Sequence, residues 1–495
     1  MKNKIITLLL LTGTLFCAAG GKLELVPGYE VCSIYLPGCE AETEAELQAV
    51  LKYRREGETQ WKTAADALVY LPKEKELRGS ILELAEGTGY QIQLEYRDRD
   101  GKKTLSGQFR TRTLKVSIAK TIVLDEKTPM PMRISRSGSP EGWIRYTMKP
   151  GAVLDGGERR EFAIFLDKVS HVILEGLTVR GGRRHGINVE NCREIQILNC
   201  DVSGFGRIGE HRPDLNGMYY NENGKPIDQD AGIRIRNTRA ILVERNYVHD
   251  PRGTANSWFY AHPAGPNGLN LGNVREAAIR YNDFIGSDAR RWNDAVEGWG
   301  NFHPRGGFNQ DAEIYGNFMI FCNDDNIELD GGQQNVRCFG NRFEGALCGV
   351  SIQGCMTGPS YVYNNLVSDM GDERGEVNLF LKTASPRSGK FAASYIFGNT
   401  FSGPGRGTDV LKHHKLFLYN NIFDGRANLV EHAELPSAVM EGNLLNDTDP
   451  QFRNPSAGDY RLSPDSPARK RGVPVAGDEN PDAGAFGGDG APALP

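Results

Sequence analysis

No stretch of this chain concentrates basic residues. Lysine and arginine number 58 against 63 acidic residues, a net charge of −5 spread along 495 positions, so the electrostatic footprint of a nucleic-acid binder is missing. After the apolar run at 5–16, no segment approaches the roughly 18 apolar residues of a membrane helix. None of the nine cysteines has zinc-ligand spacing. No helical pattern of convincing length occurs either, which excludes helical solenoids and bundles. What the chain does have is 59 glycines, 25 prolines and 39% hydrophobic residues, the composition of a globular, turn-rich β protein.

The N-terminus places Lys2 and Lys4 before the apolar run and ends it with Cys17, Ala18 and Ala19. This is the layout of a secretory signal cleaved after Ala19, and it predicts an exported protein, periplasmic or extracellular. A lipid anchor on Cys17 is disfavoured by the preceding Phe16. Export permits disulfides, and Cys32 with Cys39 is the best candidate pair, although the apolar surroundings of most cysteines point to buried free thiols.

The length suggests two units. Residues 22–113 alternate as half-buried strands at 29–36, 47–54, 80–84, 90–96 and 108–113. The run at 82–94, with Leu84, Gly87, Thr88 and Tyr90, followed by the turn Asp98-Arg99-Asp100-Gly101, resembles the later strands of a fibronectin type III domain. That resemblance implies a β-sandwich with a tyrosine corner, with Trp61 as a core aromatic and no catalytic role.

The second unit, 116–495, repeats itself. An apolar residue, two variable residues, asparagine, one variable residue and another apolar residue recur around Asn246, Asn282, Asn317, Asn341, Asn365, Asn399, Asn421 and Asn443, with Leu177 and Cys200 in two earlier copies. Successive spacings are 23, 46, 36, 35, 24, 24, 34, 22 and 22, a base period of 22–24 residues with insertions near 203–230, 250–266, 286–310 and 370–390. Without helical segments or leucine-rich spacing, such a period is one circuit of a solenoid of parallel strands, whose stacked circuits share a core and whose asparagines can form a ladder. The region resembles the right-handed parallel β-helix family of secreted carbohydrate-active proteins, and the closing motif at 458–468 and 482–486 resembles that family's tail. The expected fold class is therefore all-β: a right-handed parallel β-helix behind an N-terminal β-sandwich. Long insertions on one edge wall a groove.

Alternation aligns one strand per circuit by its inward pairs: Ile187/Val189, Ile233/Ile235, Leu269/Leu271, Val296/Gly298, Ile327/Leu329, Val350/Ile352 and Leu379/Leu381. The outward neighbours are then Asn188/Glu190, Arg234/Arg236, Asn270/Gly272, Glu297/Trp299, Glu328/Asp330, Ser351/Gln353 and Phe380/Lys382. Glu297, Glu328 and Asp330 should form one acidic cluster beside the pair Asp324-Asp325. Crowded like charges raise at least one pKa, which makes a carboxyl group a proton donor. The candidate catalytic residues are thus Asp324, Asp325, Glu328, Asp330 and Glu297. Candidate substrate contacts are Trp299, His303, Arg305, Arg234, Arg236, Gln353 and Lys382, whereas Trp292 is expected in the core and His249 and His262 as ordinary loop histidines.

In pectin-cleaving hydrolases of the β-helix family an adjacent aspartate pair precedes a groove strand, and Asp324-Asp325 is similar. The accompanying Gly-His-Gly and Arg-Ile-Lys elements are absent. The leading expectation is a monomeric glycoside hydrolase acting on a poly- or oligosaccharide with no cofactor or metal. The alternative is a polysaccharide lyase in which the cluster holds Ca2+ and Lys382 or Arg305 is the base. A third reading is a non-catalytic glycan-binding or adhesive solenoid. Hydrolysis leads because no base stands beside the carboxylates in the sequence.

Overall fold

The structure is a computed structural model that describes residues 21–64, 68–353, 355–383, 392–409, 415–425, 428–430, 438–475 and 481–486. The expected signal segment lies outside them. The chain divides into two compact units with the boundary at Leu114 and Lys115.

The first unit holds two four-stranded antiparallel sheets. One contains Glu24–Pro27, Cys32–Pro37, Glu76–Ile81 and Val69–Leu71; the other contains Lys62–Thr63, Gln48–Arg55, Gly89–Asp98 and Gly101–Arg110. Alternate residues such as Ile34, Leu51, Ile92 and Leu94 form one shared core. At the bend before Gly89–Asp98, the Ala85 amide donates to the Tyr90 hydroxyl at 2.8 Å. Two expectations are corrected here. Trp61 lies outside the core, with the Arg54 guanidinium 4.5 Å from its ring centre. Cys32 and Cys39 are buried free thiols, like the other six described cysteines.

The second unit is a parallel β-helix. Its three faces are parallel sheets of 11, 12 and 10 strands, and the chain visits each face once per circuit. On the 11-stranded face the inward register runs Ile164, Ile187, Ile233, Leu269, Val296, Ile327, Val350, Leu381 and Thr408. Aliphatic and aromatic side chains at these and equivalent positions fill one continuous core. On the 12-stranded face, Tyr315, Phe339, Tyr363 and Phe397 stack at 4.6, 4.7 and 4.9 Å between ring centres.

The repeated asparagines form the expected ladder. Each Nδ2 from Asn246 to Asn421 donates at 2.9 Å to the Oδ1 of the next asparagine, ending at Asn443. The residue before each asparagine is in the left-handed conformation, with φ between 54° and 68° at Arg245, Tyr281, Gly316, Gly340, Asn364, Gly398, Asn420 and Gly442. That requirement explains why glycine or asparagine fills six of these eight positions: both tolerate positive φ better than other residues do.

Candidate active site

The insertions open on the 11-stranded face, where Asp325–Glu328 lies next to the central strand Val296–Gly298. The Asp325 amide donates to Asp294 Oδ1 at 2.9 Å, and the Asp324 amide donates to the Asn293 carbonyl at 3.0 Å. These bonds seat the loop carrying Asp294 directly over the strand. Glu297 registers beside Glu328 through the pairing of Val296 with Ile327, as the alternation predicts. Glu328 is in turn opposite Ser351, and Ser351 opposite Lys382.

The last pairing corrects the alignment read from the sequence, which placed Phe380 beside Ser351 and Lys382 beside Gln353. Phe380 instead enters the core and stacks on Phe401 at 6.1 Å, while Leu379 packs outside the core against Leu347 and Cys348. Two successive inward residues, Phe380 and Leu381, break the two-residue period at the bend into the strand and shift the register by two. Lys382 thereby joins the column of Glu297, Glu328 and Ser351. Its Nζ is 2.6 Å from Asp325 Oδ2 and 3.5 Å from Asp324 Oδ1.

The carboxylates are almost sealed: Asp325 is 0% exposed, Asp324 1%, Asp330 1%, Asp294 2% and Glu328 6%. The Lys382 side chain keeps 14% exposure and is the more accessible partner. One oxygen from each of Asp294, Asp325 and Glu328 lies within 4.8 Å of the others, and Asp324, Asp325 and the Cys348 thiol form a second such triad. Apart from the Lys382 ammonium, the carboxylate oxygens of Asp324 and of Asp325 are buried without a hydrogen-bond donor. Burial unpaired in this way disfavours charge. It lifts Asp325 to about 8 against the pull of Lys382, and it lifts Asp330 to about 7 against that same pull and the Ser351 bond. Burial and neighbouring carboxylates raise Asp294 and Glu328 well above their ordinary values. For Lys382, burial opposes the charge, but Asp324 and Asp325 outweigh it and hold the ammonium pKa well above the usual value.

Glu297 accepts from Asn270 at 3.0 Å and Gln229 at 3.3 Å, and burial, with Asp228 nearby, lifts it to about 7. Asp330 accepts the Ser351 hydroxyl at 2.7 Å. Trp299 is 52% exposed, with Arg236 5.9 Å from its ring centre. Arg234 is spent on Asn188 and Glu190. Gln353 offers its carbonyl to Gly331 and Gln333. His303 and Arg305 are exposed, the Arg305 amide bonding His303 Nδ1 at 3.1 Å, and neither shows a bond to the cluster. Trp292 is core, stacked on Phe205 at 6.2 Å.

Three residues near the site were not singled out from the sequence. Asp294 lay inside an insertion with no periodicity to orient it. Asn301 reaches both Glu328 oxygens at 3.5 Å. His262, expected as an ordinary loop histidine, lies 3.9 Å from Asp324 Oδ2 and 4.7 Å from the Trp258 ring. His249 does behave as a loop residue, held by Asp201 and Asp250.

No known family model and no curated protein matches the chain. Among solved structures it is similar to pectate lyase Pel9A, at 13% identity and a TM-score of 0.44 over 77% of this chain and 92% of that one. It is also similar to pectate lyase PelI from Erwinia chrysanthemi, at 10% identity and a TM-score of 0.16 over 87% and 93%.

Proposed function

We propose that this protein is a carbohydrate-active enzyme of the lyase type, cleaving a uronate-containing glycan by β-elimination at the Asp325 and Lys382 site. The observation that carries this reading is the amine of Lys382 beside Asp325 and Asp324, a candidate base that the sequence alignment places beside Gln353 instead. A hydrolase needs two carboxyl groups that reach the glycosidic bond and a water. Here the carboxylates are nearly sealed, and the group with most access is the amine.

A lyase of this kind calls for a calcium-like cation, and the residues fit one. The donor set is oxygen-rich and acidic, as hard cations require, and, Lys382 apart, the four buried carboxylate oxygens of Asp324 and Asp325 have no hydrogen-bond donor. Asp294, Asp325 and Glu328 would hold the ion. When bound, it supplies positive charge to the substrate carboxylate and so acidifies the proton α to it. Lys382, neutral at the moment of reaction, takes that proton from C5. The electron pair forms the C4–C5 double bond, and the C4–O bond breaks toward the leaving sugar, whose oxygen takes a proton from solvent while Lys382 afterwards returns its proton to solvent. Engaging Asp324 and Asp325 elsewhere removes the charges that keep Lys382 protonated, so loading the carboxylates favours the basic amine.

The substrate is a polymer or oligomer too polar to cross a membrane. Action outside the cytoplasm, as the N-terminal secretory pattern implies, is part of the proposal. No described helix is long and apolar enough to span a bilayer. The test is a panel of polyuronates incubated with calcium or chelator. An unsaturated, ultraviolet-absorbing product formed only with the cation is expected; a saturated reducing sugar released in chelator would return the assignment to hydrolysis.

A further inference from the structure

Arg236 is set apart from the other arginines of the groove. Arg184 and Arg207 pair with Asp230, and Arg234 pairs with Glu190. Arg236 bonds only its neighbour's carbonyl and the Asn270 side chain, and no carboxylate of a described residue is in ion-pair range of it. It is half-buried, and burial together with Arg234 lowers it to about 9. Glu190, its register partner, and Glu297 act on it from beyond ion-pair distance, and a guanidinium with no direct ion pair on a largely desolvated wall is a site for an anion.

The surroundings give that anion a shape. Arg236 registers opposite Gly272, and the Trp299 amide bonds the Leu271 carbonyl at 2.7 Å. A side-chain carbon on Gly272 would meet Arg236 Cδ and Trp299 Cε3, each at 3.3 Å. Glycine there lets the Arg236 stem and the Trp299 ring close over the strand, which sets a cation beside an exposed indole, the two groups that bind a sugar's carboxylate and its apolar face. Arg236 stands three strands before Asp325–Glu328 in the sheet, about 14 Å at the usual strand spacing.

We propose that Arg236, Gly272 and Trp299 form a subsite for one uronate unit of the glycan, remote from the bond that is cleaved, with the carboxylate on Arg236 and the ring face on Trp299. The subsite rests on the uronate substrate proposed above and makes the groove selective for free acid over methyl ester at that position. Stacking on Trp299 does not require charge, so the two residues have separable effects.

The experiment is calorimetric binding of tetragalacturonate, tetramannuronate and their methyl esters to the full chain in chelator, which keeps the measurement independent of turnover. The expected result is that Arg236→Gln weakens binding of the preferred free acid roughly 10- to 100-fold, as loss of a charged hydrogen bond does, while the ester changes less than about twofold. Arg236→Lys should recover part of the loss, and Trp299→Ala should weaken acid and ester alike. Equal weakening of acid and ester by Arg236→Gln, or no binding of either acid by the unaltered protein, overturns the subsite. An unaltered protein that binds the acid through Arg236 but yields no unsaturated product with calcium would overturn the lyase reading and leave the subsite standing.

Discussion

Lys382 Nζ sits 2.6 Å from Asp325 Oδ2, beside Asp324, Glu328 and Asp330 of the same circuit as Asp325, and Asp294 of the circuit before it. The pair is one cation against a surplus of acid. That imbalance is the source of the raised pKa values and of the site's capacity for a second cation.

Replacing Lys382 with methionine removes the proposed base while keeping the length of the side chain. Turnover of a polyuronate should fall by about 10²- to 10⁴-fold, the usual worth of a positioned general base. Binding of the same oligosaccharide should change far less, measured by calorimetry alongside initial rates.

Asp325→Asn and Asp294→Asn each take one charge from the proposed cation set. In the unaltered protein, calcium at about a hundred times its dissociation constant should stabilise the fold by about 2.7 kcal/mol. Either substitution should abolish most of that shift in thermal melts, and chelator should erase it in the unaltered protein. Glu328→Gln and Asp330→Asn should also lower turnover by orders of magnitude with near-native melting. Full activity in both would remove the cluster from the mechanism.

The pH dependence has a definite sign. Asp325, at about 8, and Glu297 and Asp330, at about 7, titrate above the roughly 4 expected of an unfolded carboxyl group, mainly because they are buried. Between those values the folded chain binds more protons than the unfolded chain, so the stability these groups contribute is full below about pH 4 and is lost as pH rises toward 8. Melting in chelator from pH 4.5 to 8.5 should show this decline from these groups. Calcium should stabilise more at pH 8 than at pH 5, because only ionised carboxylates bind it.

The ladder makes a separate prediction. Asn317 donates to Ile279, Tyr315 and Asn341 and accepts from Asn282, all while fully buried. Asn317→Ala strands several buried partners, each worth about 1 kcal/mol, so urea titration should show a loss of about 3–4 kcal/mol. Asn443, at the ladder's end and less buried, should tolerate alanine better.

Much of the fold was legible because its information is local. The asparagine and the apolar residues around it are written into every copy, so the circuit length and the ladder could be counted. Glu297 beside Glu328 followed from the same counting. The method failed at Phe380 and Leu381, where two inward residues in succession broke the period, and in the insertion carrying Asp294, where no period exists.

The sequence by itself determined a stacked solenoid with Asp324, Asp325, Glu328 and Asp330 on one circuit, because periodic burial leaves few other ways to hide those apolar residues. Only the tertiary structure brought Asp294 and Lys382 onto that circuit from distant parts of the chain. Which residue of a long insertion folds over a strand, and where a bend resets the register, depend on packing between circuits rather than on any repeat within one.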